Sequence, residues 1–205
     1  MHLSSLQNMA RFREKYLSDC AGTTLTILDL GSTEMGACYR PIFENPSWKY
    51  IGADLESGPN VNLVLSHPYH WKEVRSGSVD VLVSGQVLEH VEFFWITMLE
   101  ISRVLKPGGL ACIVVPSGGE EHRYPLDCWR FYPDGMNALA GFARLHVLEV
   151  YTQWEGIGDH GSDQWADSVL VARKPTRPLV KAIGVRLLQS MQRRLNLFSL
   201  IRRGA

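Results

Sequence analysis

The apolar positions fall into short strand-like runs separated by helical stretches. Residues 4–19 repeat apolar side chains at helical spacing, with Leu6, Met9, Phe12 and Leu17 near one stripe and Ser4 or Ser5 as N-cap. An apolar run over 25–30 ends at Gly31. Further strands are predicted within 50–56 (YIGADLE), 61–65 (VNLVL), 79–84 (VDVLVS) and 110–116 (LACIVVP). The 79–84 run is almost wholly β-branched or apolar, as suits a strand buried on both faces. Residues 36–44 hold at best a short helix, because Pro41 interrupts it and Pro46 ends it. A helix over 92–105 is expected to stop at Lys106-Pro107-Gly108-Gly109, read as a helix end followed by a turn.

Beyond it, residues 117–132 read as a polar, aromatic loop, and Pro133 opens a helix to about 142. Strands at 145–152 and 167–173 flank the turn-rich connection WEGIGDHGSDQW, and 178–201 return to helix. The β–α alternation over 25–116 predicts an α/β fold, a mostly parallel sheet with helices on both faces. The two terminal strands, with no long helical pattern between them, predict an antiparallel pair at one edge. Extra helices lie at both termini. Residues 1–174 are expected to form one domain (1–20 its N-terminal helix), with 175–205 a basic amphipathic helix.

The composition, 45% hydrophobic and 20% charged over 205 residues, is that of an ordinary globular domain. Charge changes the picture only in its distribution. Nine of the 21 basic residues, and none of the 21 acidic ones, lie from Ser168 onward. The four cysteines show no CxxC pairing, so reduced thiols are expected and a zinc site is not. The N-terminus reads as an amphipathic helix rather than a signal peptide, and no run reaches the roughly 18 apolar residues of a membrane span. A cytoplasmic location is expected.

The stretch Thr26–Gly36, TILDLGSTEMG, has the form of a first strand and glycine turn of a nucleotide-type α/β domain. Asp54 ends the next strand 23 residues after Gly31, a spacing at which a carboxylate can accept hydrogen bonds from ribose hydroxyls. The series ILDLGSTEMG, YIGADLE, SVDVLVSGQVLEHV and ISRVLKPGGL resembles class I S-adenosylmethionine-dependent methyltransferases, over about residues 25–173. That resemblance implies a Rossmann-like seven-stranded sheet with an antiparallel last strand, S-adenosylmethionine as cofactor and S-adenosylhomocysteine as product. By the same resemblance, Asp29, Gly31 and Ser32, with Gly36 closing the loop, border the methionine half. Asp54 holds the ribose, Leu55 packs on adenine, and Ser84, Gly85 and Gln86 form the floor beneath the sulfonium.

The chain departs from the family's D-x-G-x-G-x-G loop at Thr33 and Met35, and Gly36 falls one position late, which implies a loop of different shape. Ser66-His67 stands where relatives often carry an acidic residue, so His67 is the candidate contact to the adenine amino group.

The loop HRYPLDCWRFYPDG is similar to a branch found among polysaccharide- and sugar-modifying methyltransferases. It implies a small polar or glycan acceptor methylated on a hydroxyl, with His122, Asp127 and Arg130 as candidate catalytic residues and His122 or Asp127 as general base. Alternatively, Asp127 and Arg130 pair with each other and pin the lid. Glu89-His90 reads as a structural pair fixing the segment after the fourth strand. His160, Asp159 and Asp163 read as turn formers rather than ligands, and no metal is expected. The basic tail, with Val180, Ile183, Leu187, Met191, Leu195 and Phe198 near one face, fits a peripheral helix at the inner membrane surface, a homodimer contact, or packing back onto the acidic body. Nucleic acid is not an expected partner. The other acceptors considered are a nitrogen or carbon of a metabolite, and the rival from another class is a catalytically silent methyltransferase-like binding protein.

Overall fold

A computed structural model describes residues 2–34, 36–176 and 179–201, except the side chains of 179–182, 186 and 197–201. Its strands are β1 (Leu25–Leu30), β2 (Trp48–Asp54), β3 (Leu63–Val64), β4 (Val79–Gly85), β5 (Leu105–Pro116), β6 (His146–Thr152) and β7 (Asp167–Arg173). They form one sheet in the order β3-β2-β1-β4-β5-β7-β6. Neighbours from β3 to β5 pair in parallel, whereas β7 runs antiparallel to both β5 and β6. The sheet is therefore mostly parallel, with the antiparallel strand at the β6 edge, one place in from the margin.

Alternation along the strands sends two sets of side chains to opposite faces. Ile27, Val81, Val83, Cys112, Val114, Val169 and Val171 pack against Met9, Phe12 and Leu17 of helix α1 (Leu3–Leu17). Leu28, Leu30, Leu82, Ala111, Ile113, Leu170 and Ala172 face α2 (Phe94–Val104) and α3 (Pro133–Phe142), which contribute Met98, Ile101, Met136 and Leu139. Full burial on both faces explains the unbroken apolar runs of β4 and β5.

Strand β2 begins at Trp48, ahead of the expected 50–56, and α1 starts at Leu3 with His2 at its N-cap, so Ser4 and Ser5 lie inside it. Other boundaries differ as well. The third strand shrinks to Leu63–Val64. The predicted helix at 36–44 is a 3-10 turn, Arg40–Phe43. The Lys106–Gly109 turn is absorbed into β5: Val79 lies opposite Leu105 but Val81 opposite Leu110, so the four residues bulge from the ladder. Gly108 takes the left-handed φ of +83° at this bulge. Lys106 Nζ closes it on Asp80 Oδ2 at 2.7 Å.

The 154–165 connection carries a short helix α4 (His160–Asp163), and helix α5 (Leu179–Ile201) follows β7. Helix α5 packs back on the body through polar residues. Gln189 is buried, its Nε2 donating to Ser102 Oγ (3.0 Å) and to the Ala143 carbonyl (2.9 Å). Arg193 pairs with fully buried Glu100, which also accepts a bidentate pair from Arg103 and the Trp71 N–H. Burial pushes the Glu100 carboxyl up, but the arginines and the N–H outweigh it and hold it below its ordinary value. Ile183, Leu187, Met191 and Leu195 of the expected apolar stripe are left exposed. Met35, Arg202 and Arg203, and the side chains of Val180, Lys181, Arg186 and Phe198, lie outside the described residues. No described helix is long and apolar enough to cross a membrane.

Candidate active site

The parallel strands deliver their carboxyl ends to one edge of the sheet, where the turn after β1, the end of β2 and the loops after β4 and β5 meet. Gly31 turns the chain out of β1 with φ +76°, and a Cβ there would lie 2.1 Å from Val87 Cγ2. Both conformation and closeness require glycine. The N–H groups of Gly31 and Ser32 donate to the Ala53 carbonyl at 2.8 and 3.2 Å, tying the loop to the end of β2. Gly36 has φ +86° and open space around its α-carbon.

Asp54 ends β2 half-buried, its carboxylate held from two sides by the N–H groups of Thr33 (3.0 Å to Oδ2) and Leu55 (2.7 Å to Oδ1). Thr33, which replaces a family glycine, thus orients the carboxylate through its backbone. Each oxygen keeps lone-pair capacity for a further donor. Leu55 is exposed beside it. His67 is exposed too, but its Nδ1 accepts the Tyr69 N–H at 3.0 Å, so one ring nitrogen is engaged within its own turn.

Asp29 is buried, accepts the Tyr50 hydroxyl on Oδ2 and leaves Oδ1 without a hydrogen-bond partner among the described residues. Burial raises its carboxyl to about 7, against the opposing Tyr50 hydrogen bond and with Asp54 adding repulsion. Ser32 Oγ and Gln86 Oε1 are likewise buried without hydrogen-bond partners among the described residues. Ser84 donates to the Leu30 carbonyl (3.1 Å), so its hydroxyl ties β4 to β1. Tyr39 fills the space over Gly85, where a Cβ would sit 1.7 Å from its hydroxyl oxygen. Gln86, at φ +58°, reaches across to Asp167 Oδ1 (3.0 Å), while Asp167 Oδ2 accepts Ser4 Oγ (2.6 Å). Helix α1 is thereby joined to the site through Ser4–Asp167–Gln86, and again through Ser5 and Tyr39, 2.6 Å apart.

The loop after β5 is stitched to the turn after β4. Cys128 and Trp129 donate their N–H groups to the Glu89 carbonyl at 2.7 and 3.2 Å, and Trp129 Nε1 donates to Val91 O at 3.1 Å. Asp127 is gripped by Arg130 at 2.6 and 2.9 Å and receives the His122 N–H at 2.7 Å. The guanidinium holds Asp127 well below the usual carboxylate range, which makes it a poor proton acceptor. Arg130 also donates from its two terminal nitrogens to the carbonyls of Trp129 and Glu120, at 2.9 Å each. The two candidate catalytic residues therefore pin the lid.

His122, the third, meets Glu89 and His90: one ligand-type atom from each of the three lies within 4.8 Å of the others. Glu89 is fully buried, both carboxyl oxygens without hydrogen-bond partners, and burial raises it to about 8. The sequence reading took Glu89-His90 as a structural pair and did not consider Tyr39, Tyr50 or Asp167. The available signal was Glu89 itself, an acidic residue inside the apolar run Val87-Leu88-Glu89-His90-Val91. The His160 region behaves as turn chemistry: Asp163 accepts the N–H groups of Ile157 and Gly158, and Asp159 accepts Ser162 Oγ.

Residues 21–113 match the model of a methyltransferase domain family. No curated protein matches the sequence. Among solved structures, the fold is similar to 1,6-didemethyltoxoflavin-N1-methyltransferase of Burkholderia thailandensis, crystallised with S-adenosylhomocysteine (TM-score 0.63, 15% identity, 84% of this chain and 79% of that one). It is similar to the [4+2]-cyclase SpnF (TM-score 0.62, 15% identity, 84% and 82%). A third is phosphoethanolamine N-methyltransferase 2 of Haemonchus contortus, in complex with S-adenosyl-L-methionine (TM-score 0.57, 15% identity, 83% and 52%). The matched segment and the shared architecture show a Rossmann-like fold of the kind these proteins carry.

Proposed function

We propose that this protein transfers a methyl group from S-adenosylmethionine to a hydroxyl of a small polar acceptor, of the sugar or glycan-precursor class. The observation that carries the cofactor reading is Asp54, pre-oriented at the end of β2 by two backbone donors with acceptor capacity to spare for a ribose diol. The orphaned acceptors Asp29 Oδ1 and Gln86 Oε1 fit a group that brings donors, as the methionine ammonium does. Leu55 offers an exposed apolar surface to adenine. When bound, S-adenosylmethionine supplies the electrophilic methyl carbon and leaves as the neutral thioether.

The acceptor reading is supported by the same end of the sheet. Tyr132 and Trp154 are exposed and stack 6.2 Å apart, a pair of faces suited to a sugar ring. A cavity of about 630 Å³ beside them is lined by Gln7, Asn8, Arg11, Gln153 and Trp154, donors and acceptors suited to hydroxyls. The Asp127–Arg130 pair holds the loop after β5 in place at this end of the sheet.

Calorimetric titration with S-adenosylmethionine and S-adenosylhomocysteine tests this reading, with Asp54→Ala alongside. Micromolar binding that is lost in the variant is expected. Well-folded protein that binds neither ligand would overturn the enzyme reading and leave a partner-binding fold.

A further inference from the structure

We propose that Glu89, His90 and His122 form a binding site for a divalent transition-metal cation of the zinc class. Two imidazoles and one carboxylate are the donor set such ions prefer, whereas magnesium and calcium favour all-oxygen sites. The donor atoms all lie within 4.8 Å of one another, with His90 Nε2 3.6 Å from Glu89 Oε1. Metal bonds of about 2.0–2.2 Å need a mutual spacing of roughly 3–3.5 Å, which the His90–Glu89 separation nearly meets.

Two further observations point to a ligand. The Glu89 side chain is fully buried, yet neither oxygen has a hydrogen-bond partner among the described residues, and a buried carboxylate in that state is costly unless a cation joins it. His122 Nδ1 is also buried without a hydrogen bond among the described residues, at 3.4 Å from Asp127 Oδ2. His90 supports the same arrangement from the other side of its ring. Its Nδ1 lies 2.5 Å from the Leu126 carbonyl, which can only accept, so that nitrogen carries the proton and the Nε2 lone pair faces Glu89. A backbone carbonyl on the far nitrogen is the usual support of a metal-ligating histidine.

The lid completes the site. Residues 89 and 90 follow β4 and residue 122 follows the adjacent β5, and the Cys128 and Trp129 N–H groups clamp that loop onto the Glu89 carbonyl. Three protein ligands leave a coordination position open. A hydroxyl bound there would give up its proton to solvent water more readily, and its oxygen would then form the bond to the methyl carbon as the S–C bond breaks and S-adenosylhomocysteine leaves. That last role rests on the function proposed above; metal binding itself does not.

Cobalt(II) is the probe, titrated into chelator-treated full-length protein and followed by its visible d–d absorption. The variants His122→Ala, His90→Ala and Glu89→Gln are measured in parallel, with circular dichroism as the check on folding. One equivalent is expected to bind with imidazole-type spectra and to be displaced by zinc but not by magnesium, with at least tenfold weaker binding in each folded variant. No saturable binding by the wild type, or binding equal in His122→Ala, overturns the proposal. S-adenosylhomocysteine affinity of the same samples separates the two readings: cofactor binding without cobalt binding sinks this inference alone.

Discussion

Gly31→Ala isolates the glycine turn on which the site depends. The added methyl meets two separate obstacles. At φ +76° the backbone is left-handed, which costs a residue with a Cβ about 1–2 kcal/mol. The Cβ would also fall 2.1 Å from Val87 Cγ2, and overpacking of that kind costs about 1–3 kcal/mol. The expected loss is therefore about 2–5 kcal/mol, each kcal/mol lowering the melting midpoint by about 2–4 °C for a chain this size. Val87→Ala removes the clashing Cγ2 but leaves the backbone strain in place. The double variant should therefore recover the steric part, a favourable coupling of about 1–3 kcal/mol in a double-mutant cycle. Urea unfolding with unchanged m-values measures all four corners. A Gly31→Ala protein as stable as the wild type, or a cycle without coupling, would refute the assignment of this turn.

Glu89→Gln, compared in the presence of a chelator, should remove a pH dependence of stability. The folded carboxyl is raised from 4.5 to about 8, so its contribution is fully present below pH 4.5 and is lost as pH rises through about 8. By pH 9 the wild type should have lost on the order of 3–5 kcal/mol that the glutamine variant retains; parallel stability–pH curves for the two proteins would contradict this. Arg103→Ala should cost about 3–5 kcal/mol, because it strips the bidentate partner from buried Glu100 and also the donors to the Trp71 and Val74 carbonyls. Arg193→Ala leaves those contacts intact and should cost roughly 1 kcal/mol; equal losses in chemical denaturation would show that the network is apportioned differently. Trp154→Ala should raise KM for a glycan acceptor several-fold while leaving S-adenosylhomocysteine affinity unchanged, and a loss of cofactor affinity instead would move the aromatic platform to the cofactor side.

Much of the architecture was legible in the chain. Strand and helix positions follow from local periodicity, because burial on one face or both imposes a repeat on the side chains that face it. β1, β4, α1 and α3 lie within a residue or two of their predicted limits. The glycine turn at Gly31 and the carboxylate at Asp54 were also readable, since both act at the ends of adjacent parallel strands whose spacing is set by one β–α unit. The sequence misplaced Lys106–Gly109, because a Pro-Gly-Gly bulge inside a ladder carries the same residues as a turn that ends a helix.

What the tertiary structure alone decided is which distant groups meet. Strand order places β4 beside β5, and this brings His122 onto Glu89 and His90 across more than thirty residues. Nothing in local patterning encodes that juxtaposition. The same holds for Asp127 and Arg130: their spacing allowed either substrate contact or mutual pairing, and the folded loop engages each with the other and with backbone groups. Helix α5 makes the point from the opposite direction. Its apolar stripe suggested the buried face, but partners for Gln189 and Arg193 exist only on the folded body, in Ser102, the Ala143 carbonyl and Glu100. Periodicity reports that a face prefers to leave water, whereas buried polar partners arise only when separate elements converge.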